Sequence, residues 1–254
     1  MAIALKSARE IGLMRAAGLV VAEVLDLMRE RVAPGITTRE LDRLAYELIT
    51  ARGGKPSFLG YHGYPASICA SVNEEIVHGI PGDRVLVEGD IISIDVGVII
   101  DGYHGDAAIT LPVGQVSDEA RRLIAATEGA FRAGAAAAVA GKRLGDIGAA
   151  IDSYAAAHGF AVVREYTGHG VGRAMHEEPT VFNYGRPGTG LRLRPGMTLA
   201  IEPMLTPGSA RTRVLPDGWT VVTADGALAA HYEHTVLVTE DEPVLLTAPA
   251  ESVV

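Results

Sequence analysis

A single cysteine, Cys69, occurs in 254 residues. An intrachain disulfide, a CxxC redox centre and a thiolate zinc cluster are thereby excluded. Basic residues are also scarce: 22 Lys and Arg stand against 31 Asp and Glu, a formal charge of −9. That balance argues against nucleic acid as the main partner, because phosphate binding draws on Lys and Arg. No stretch approaches the ~18 uncharged apolar residues of a membrane span. The first ten residues already hold Lys6, Arg9 and Glu10, so no apolar signal-peptide core is seen. Aromatics make up only 5% of the chain, yet 48% of it is hydrophobic, enough for a packed core. The expectation is a globular protein of the cytoplasm, working without a membrane.

What is present comes twice. Ser7 to Val32 reads as a helix, with Ile11, Met14, Gly18, Val21, Leu25 and Met28 along one face. Pro34-Gly35 breaks it. Thr37 and Glu40 are spaced as a capping box for a second helix, whose apolar stripe is Leu41, Leu44, Ala45, Leu48 and Ile49. Gly53-Gly54 ends that helix, and β-branched runs follow at Ile91–Ile94 and Val96–Ile100. The pattern then restarts. Ser117 opens a helix running to Val139, Asp146–Ala157 gives another, and strand-like segments follow. A single domain spanning 1–254 is expected, built from an internal repeat of about 1–112 and 113–254.

The copies match residue by residue. Gly89–Asp95 aligns with Gly196–Glu202, acid on acid; His78-Gly79-Ile80 aligns with His169-Gly170-Val171; Asp106–Ile109 aligns with Glu233–Val236. Each half thus presents a histidine and two carboxylates in one order, and a pseudo-two-fold would bring the sets face to face. One such acid alone reads as a solvated strand end. Four at matched positions repel one another and need cations to hold them together. Two divalent ions would balance Asp95, Asp106, Glu202 and Glu233, with one imidazole completing an oxygen-rich set suited to Mn, Fe, Co or Zn. Ion pairs roughly 3.5–4 Å apart activate water at neutral pH. The Gly-rich segment Thr167–Gly172 lacks the GK[ST] ending of a phosphate loop.

The motifs Asn73–Pro81, Asp95-Val96-Gly97, His104-Gly105-Asp106, Thr167–Gly172, Met175–Pro179, Ile201–Met204 and Tyr232–Thr235 together make the chain resemble the type I methionine aminopeptidases of bacterial kind. The resemblance runs from the first helix to about Thr247. It implies an α+β pita-bread fold, with two pseudo-two-fold-related halves and an antiparallel sheet covered by helices. It also implies removal of the initiator methionine from nascent proteins and peptides, with a small second residue preferred. Asp95 would hold one ion, His169 and Glu202 the other, and Asp106 and Glu233 would bridge them. His78 would contact the scissile amide or help bind the substrate, and His176 would stabilise the oxyanion. Glu202 would also carry a proton from water to the leaving amine.

The methionine pocket carried over from the family falls on Phe58, Tyr61, Tyr64, Cys69, Met175 and Trp219. Relatives often have Cys at the first of these and Phe at the fifth. Ordinary core packing is the alternative for each of the six. His104, His158 and His231 read as surface or satisfied core histidines, and His62 and His234 stay open. Two other enzymes of this fold would differ in recognisable ways. Proline-specific relatives carry a separate N-terminal domain, whereas only 77 residues precede His78 here. Type II methionine aminopeptidases insert a helical subdomain for which Glu202 to Glu233 leaves no room. A non-catalytic binding protein on the same fold would lose metal ligands, and all five are kept. The family implies a monomer. Arg211 and Arg213 offer a local basic contact toward the ribosome, with a solvated loop as the alternative.

Overall fold

In the computed structural model, which describes residues 3–249, four helices lie on one face of an antiparallel sheet. The outermost ends of the expected 1–254 unit, residues 1–2 and 250–254, lie outside the described residues. Helix α1 spans Ala8–Arg31 and opens with a full capping box: Ser7 Oγ accepts from the Glu10 N–H, and the Glu10 carboxylate accepts from the Ser7 N–H at 2.8 Å. Helix α2 (Thr38–Ala51) carries only half of the box expected there. Thr37 Oγ1 accepts from the Glu40 N–H at 3.2 Å, but the Glu40 carboxylate faces Arg43 instead.

Helix α3 (Asp118–Ala136) stops three residues before the expected end. The N–H groups of Ala137 and Ala138 reach back three residues, not four, which tightens and closes the last turn. Helix α4 (Leu144–Ala157) starts two residues earlier than expected, because Asp146 caps from inside the first turn by accepting from the Arg143 N–H at 2.7 Å.

Eight strands position the site: β1 (Ile68–Val72), β2 (Ile91–Ile100), β3 (Tyr103–Pro112), β4 (Gly168–Gly170), β5 (Glu177–Val181), β6 (Thr198–Ile201), β7 (Ala230–His231) and β8 (Glu233–Leu237). The two β-branched runs around Asp95 are one strand, so this acid sits mid-strand and not at a solvated end. In the main sheet the order is β1-β2-β3-β8-β6-β4-β5, antiparallel throughout. Strand β7 lies apart, in a small sheet with Ala161–Val162 and Met204–Thr206.

Alternation along each strand separates two chemistries. Ile92, Ile94, Val96, Ala107 and Ile109 face α1 and α2, packing on Val21, Leu25, Met28 and Leu41. Leu199, Ile201 and Val236 face α3 and α4, against Leu123, Phe131, Ile147 and Ile151. Each large apolar side chain buried there contributes roughly 1.5–3 kcal/mol. The intervening residues, Asp95, Asp106, Ala108, Ala200 and Glu233, point to the other face. Burial on the helix side therefore holds the acid-bearing strands in register against the repulsion of their own carboxylates.

Candidate metal centre

Five neighbouring strands each bring one donor. Across the sheet the sequence runs Asp95 (β2), Asp106 (β3), Glu233 (β8), Glu202 (just after β6) and His169 (β4). The two acids of the first half and the two of the second mirror each other about the β3–β8 boundary. Register adds a detail: Cys69 opposes Asp95, Asp95 opposes Ala108, and Ala108 opposes Glu233, so one row crosses four strands. Ala108 is small enough to leave space between the carboxylates, and Cys69 places the row's end in an apolar wall.

Two of these acids are shut off from water, and none of the four has a compensating cation among the described residues. Asp106 and Glu233 are each 2% exposed. Asp95 Oδ1, Asp106 Oδ1 and Glu233 Oε1 are buried without a hydrogen-bond partner. Among the described residues, no Lys or Arg forms an ion pair with any of the four. Burial pushes all four carboxyls above their ordinary range. Repulsion from neighbouring acids adds to this for Asp106, Glu202 and Glu233. An orphaned buried carboxylate oxygen is costly, and a divalent cation removes the cost.

Two donor groups converge, with ligand atoms within 4.8 Å of one another: Asp106, His169 and Glu233, and Asp95, His231 and Glu233. They share Glu233, and the second group brings His231 up beside the acids. His169 is prepared for the role. Its Nδ1 is bonded to the Gly170 carbonyl at 2.9 Å, which leaves Nε2 free, 3.6 Å from Asp106 Oδ2 and 3.5 Å from Glu202 Oε1. Burial lowers its pKa to about 3, so the ring is neutral near pH 7.

The remaining expected residues surround the same cavity, of about 140 Å³. Phe58, Tyr64, Cys69 and Met175 are buried together, with Tyr61 and Trp219 packed at the edge. Gly97 makes room for this wall, since a Cβ there would meet the Phe58 ring at 2.7 Å. Tyr64 spends its hydroxyl on the Ile68 and Gly79 carbonyls (3.1 and 2.9 Å) and offers the cavity only its ring. Burial pushes the Cys69 thiol well above its ordinary range, keeping it neutral. His78 adopts the left-handed backbone conformation (φ +61°), a strained choice that turns its ring toward Tyr166 and Trp219. Burial, reinforced by His176, lowers its pKa to about 4. His176 Nδ1 lies 2.8 Å from Tyr61 Oη, and its ring is 4.2 Å from that of His169.

Of the other histidines, His104 is buried and bonded to Ser57 Oγ (2.9 Å), and exposed His158 bonds the Tyr154 carbonyl. His234 is buried on the helix side and bonded to Thr247, while His62 is exposed. The reading of His231 as surface or satisfied core is corrected: it is 1% exposed, and its Nε2 has no hydrogen-bond partner beside two carboxylates. Asn183 was not anticipated either; fully buried, it donates to the Glu202 carbonyl at 3.0 Å. Only the fold reveals these two, because neither sits in a repeated motif. Arg211 and Arg213 are exposed, Arg211 just before and Arg213 within the hairpin Thr212–Val214/Val221–Thr223.

An antiparallel sheet that gathers four uncompensated carboxylates and an imidazole beside an apolar cavity defines a metal-dependent hydrolase with a carboxylate-bridged, dinuclear centre. The model of metallopeptidase family M24 matches residues 12–240. The methionine aminopeptidase of Clostridium perfringens is 54% identical over 245 residues, covering 96% of this chain and 98% of that protein. The crystal structures of the methionine aminopeptidases from Thermotoga maritima and Rickettsia prowazekii superpose with TM-scores of 0.96 and 0.95. Each is 45% identical and covers 97% of this chain and all of the other. The chain belongs to metallopeptidase family M24, among the methionine aminopeptidases, and has their pita-bread fold.

Proposed function

We propose that the protein removes the N-terminal methionine from nascent polypeptides and peptides, preferring a small second residue. The observation that carries this reading is the union of two opposed surfaces in one 140 Å³ cavity, a carboxylate cluster and an apolar aromatic wall. A cavity of about 150 Å³ accommodates a benzene-sized guest, so one unbranched side chain fits with its α-amine and carbonyl toward the acids. A charged side chain would be stranded against Phe58, Tyr64 and Met175. A thioether there gains sulfur–aromatic contacts of roughly 0.3–1.5 kcal/mol.

Asp95 would hold one ion, His169 and Glu202 the other, and Asp106 and Glu233 would be shared between them. When bound, two divalent ions (Co, Mn, Fe or Zn) supply Lewis-acid polarisation and activation of water. The side chains do the rest. With the Tyr61 phenol donating to Nδ1 of His176, the imidazole proton sits on Nε2 and is available to the carbonyl oxygen as negative charge develops there. His78, neutral near pH 7, hydrogen-bonds the scissile amide. Glu202 takes the proton from water and returns it to the leaving amine. Water exclusion by the aromatic wall strengthens each of these interactions.

We infer further that the protein acts as a monomer in the cytoplasm, with Arg211 and Arg213 available to a ribosomal surface near the emerging chain. No helix among the described residues is long and apolar enough to cross a membrane. The test is hydrolysis of Met-Ala-Ser with added Co²⁺ or Mn²⁺, run beside an X-Pro peptide. Cleavage of the methionyl peptide alone is expected. No turnover with any metal would favour a binding protein on this fold, and cleavage of the X-Pro peptide alone a proline-specific enzyme. Reversing Arg211 and Arg213 is expected to reduce co-sedimentation with ribosomes; unchanged co-sedimentation would remove that contact.

A further inference from the structure

His231 has no task in the roles given above, yet its position is closely set. Its backbone N–H donates to Thr110 Oγ1 at 2.9 Å, and the same hydroxyl donates to its carbonyl at 2.8 Å. Strand β7 pairs it with Met204, two residues beyond Glu202. The ring therefore stands with Nε2 3.7 Å from Glu202 Oε2 and 3.7 Å from Glu233 Oε2. That nitrogen is buried and unpartnered.

A nitrogen so placed is either a metal ligand or a hydrogen-bond donor, and His169 shows what separates the two. A ligating imidazole donates its other N–H to a fixed acceptor, as His169 Nδ1 does to the Gly170 carbonyl. No acceptor is bonded to Nδ1 of His231 among the described residues. A neutral imidazole carries a single N–H. Two carboxylate oxygens stand in front of Nε2, so a proton on that nitrogen finds acceptors on both acids. Glu202 divides its oxygens to match: Oε1 lies 3.5 Å from His169, while Oε2 faces His231.

We propose that His231 is a positioning residue of the metal centre, its Nε2–H donating to the outer oxygens of Glu202 and Glu233 and so turning Glu202 Oε1 toward the ion it shares with His169. This rests on the reading of the centre given above. It makes the second half of the chain supply two imidazoles with different duties, one for an ion and one for the acids that hold an ion.

The test is calorimetric titration of metal-free protein with Mn²⁺, comparing wild type, His231→Leu and His231→Gln. His231→Leu should weaken one of the two equivalents by roughly 10–100-fold, the usual cost of removing an outer partner of a metal ligand. His231→Gln keeps an N–H donor at similar reach and should stay near wild type. If His231→Leu does not fold, His231→Asn replaces it, because its amide stops short of the carboxylates and should show the same loss. A merely structural side chain would lower the unfolding temperature of the metal-free protein and leave the affinity alone. Undiminished affinity in His231→Leu or His231→Asn overturns the proposal. So does a loss in His231→Gln equal to that in His231→Leu with a changed visible spectrum of the Co²⁺ form, which would make the imidazole itself a ligand. Failure of wild type to bind Mn²⁺ would instead refute the reading of the centre.

Discussion

The two halves of the molecule hold matched pairs of acids, aspartates in the first and glutamates in the second, but differ in what they add. The first half surrounds Asp95 and Asp106 with Phe58, Tyr61, Tyr64 and Cys69, most of the apolar wall. The second half surrounds Glu202 and Glu233 with His169, His176 and His231. Even the aligned histidines have diverged: His169 sits in a strand with its Nε2 among the acids, whereas His78 sits at a positive φ beside Tyr166 and Trp219. A duplicated sheet thus provides charge symmetrically, and in the proposed mechanism the segments at strand ends add selectivity on one side and proton handling on the other.

Symmetry of the bridging acids is the part most exposed to test. Asp106→Asn and Glu233→Gln should each lose activity on Met-Ala-Ser by more than about 1000-fold, beyond the loss of a single oxyanion donor. Each should also lose one metal equivalent, read by titration of the metal-free protein. Unequal losses would break the symmetry, and full activity with two bound ions would refute the assignment. The next effect should be one-sided. His176→Ala is expected to cut kcat by about 100–1000-fold with little change in KM, while His78→Ala should raise KM as well; identical kinetic signatures would erase the distinction between the two histidines. Phe58→Ala, confined to the apolar wall, should relax the preference for methionine by roughly 10–100-fold, the value of about 1–3 kcal/mol per lost pocket contact. Its metal stoichiometry should be untouched, and a lost ion would show that wall and centre are not separable.

A further effect concerns pH. The carboxyls of the centre are raised in the metal-free protein by burial. Asp95, pushed up to about 7, is partly protonated near neutral pH, and an incoming ion displaces that proton. Mn²⁺ affinity should therefore rise with pH, by about tenfold per unit for each proton displaced. His169, lowered to about 3, does not compete in this range. Proton release measured in buffers of different ionisation enthalpy checks the sign; affinity that falls from pH 6 to pH 8 would contradict it.

What the sequence made legible follows from what repeats in it. Asp95 and Glu202 close aligned β-branched runs, and Asp106 and Glu233 open aligned segments, so the four acids could be picked out from pattern alone. The four helices could also be seen, with ends misplaced by up to three residues where hydrogen bonding is local: Asp146 capping from within a turn, and the tightened turn after Ala136. His231 was hidden for a different reason. Nothing in Ala230-His231-Tyr232 marks it, and its approach to Glu202 depends on β7 pairing with Met204–Thr206 in a sheet of its own. Asn183 reaches the Glu202 carbonyl across 19 positions of chain, again without a local signal. The cap at Ser7 was legible in principle, since Glu10 follows at the capping-box spacing.

The proposed dinuclear centre joins five donors from five adjacent strands. The most direct measurement is a stepwise Mn²⁺ titration of the metal-free protein, following bound metal and Met-Ala-Ser hydrolysis in the same samples. Two ions bound per chain, with hydrolysis appearing only as they bind, is the predicted result. Hydrolysis at full rate before any ion is bound, or no binding at all, would contradict it.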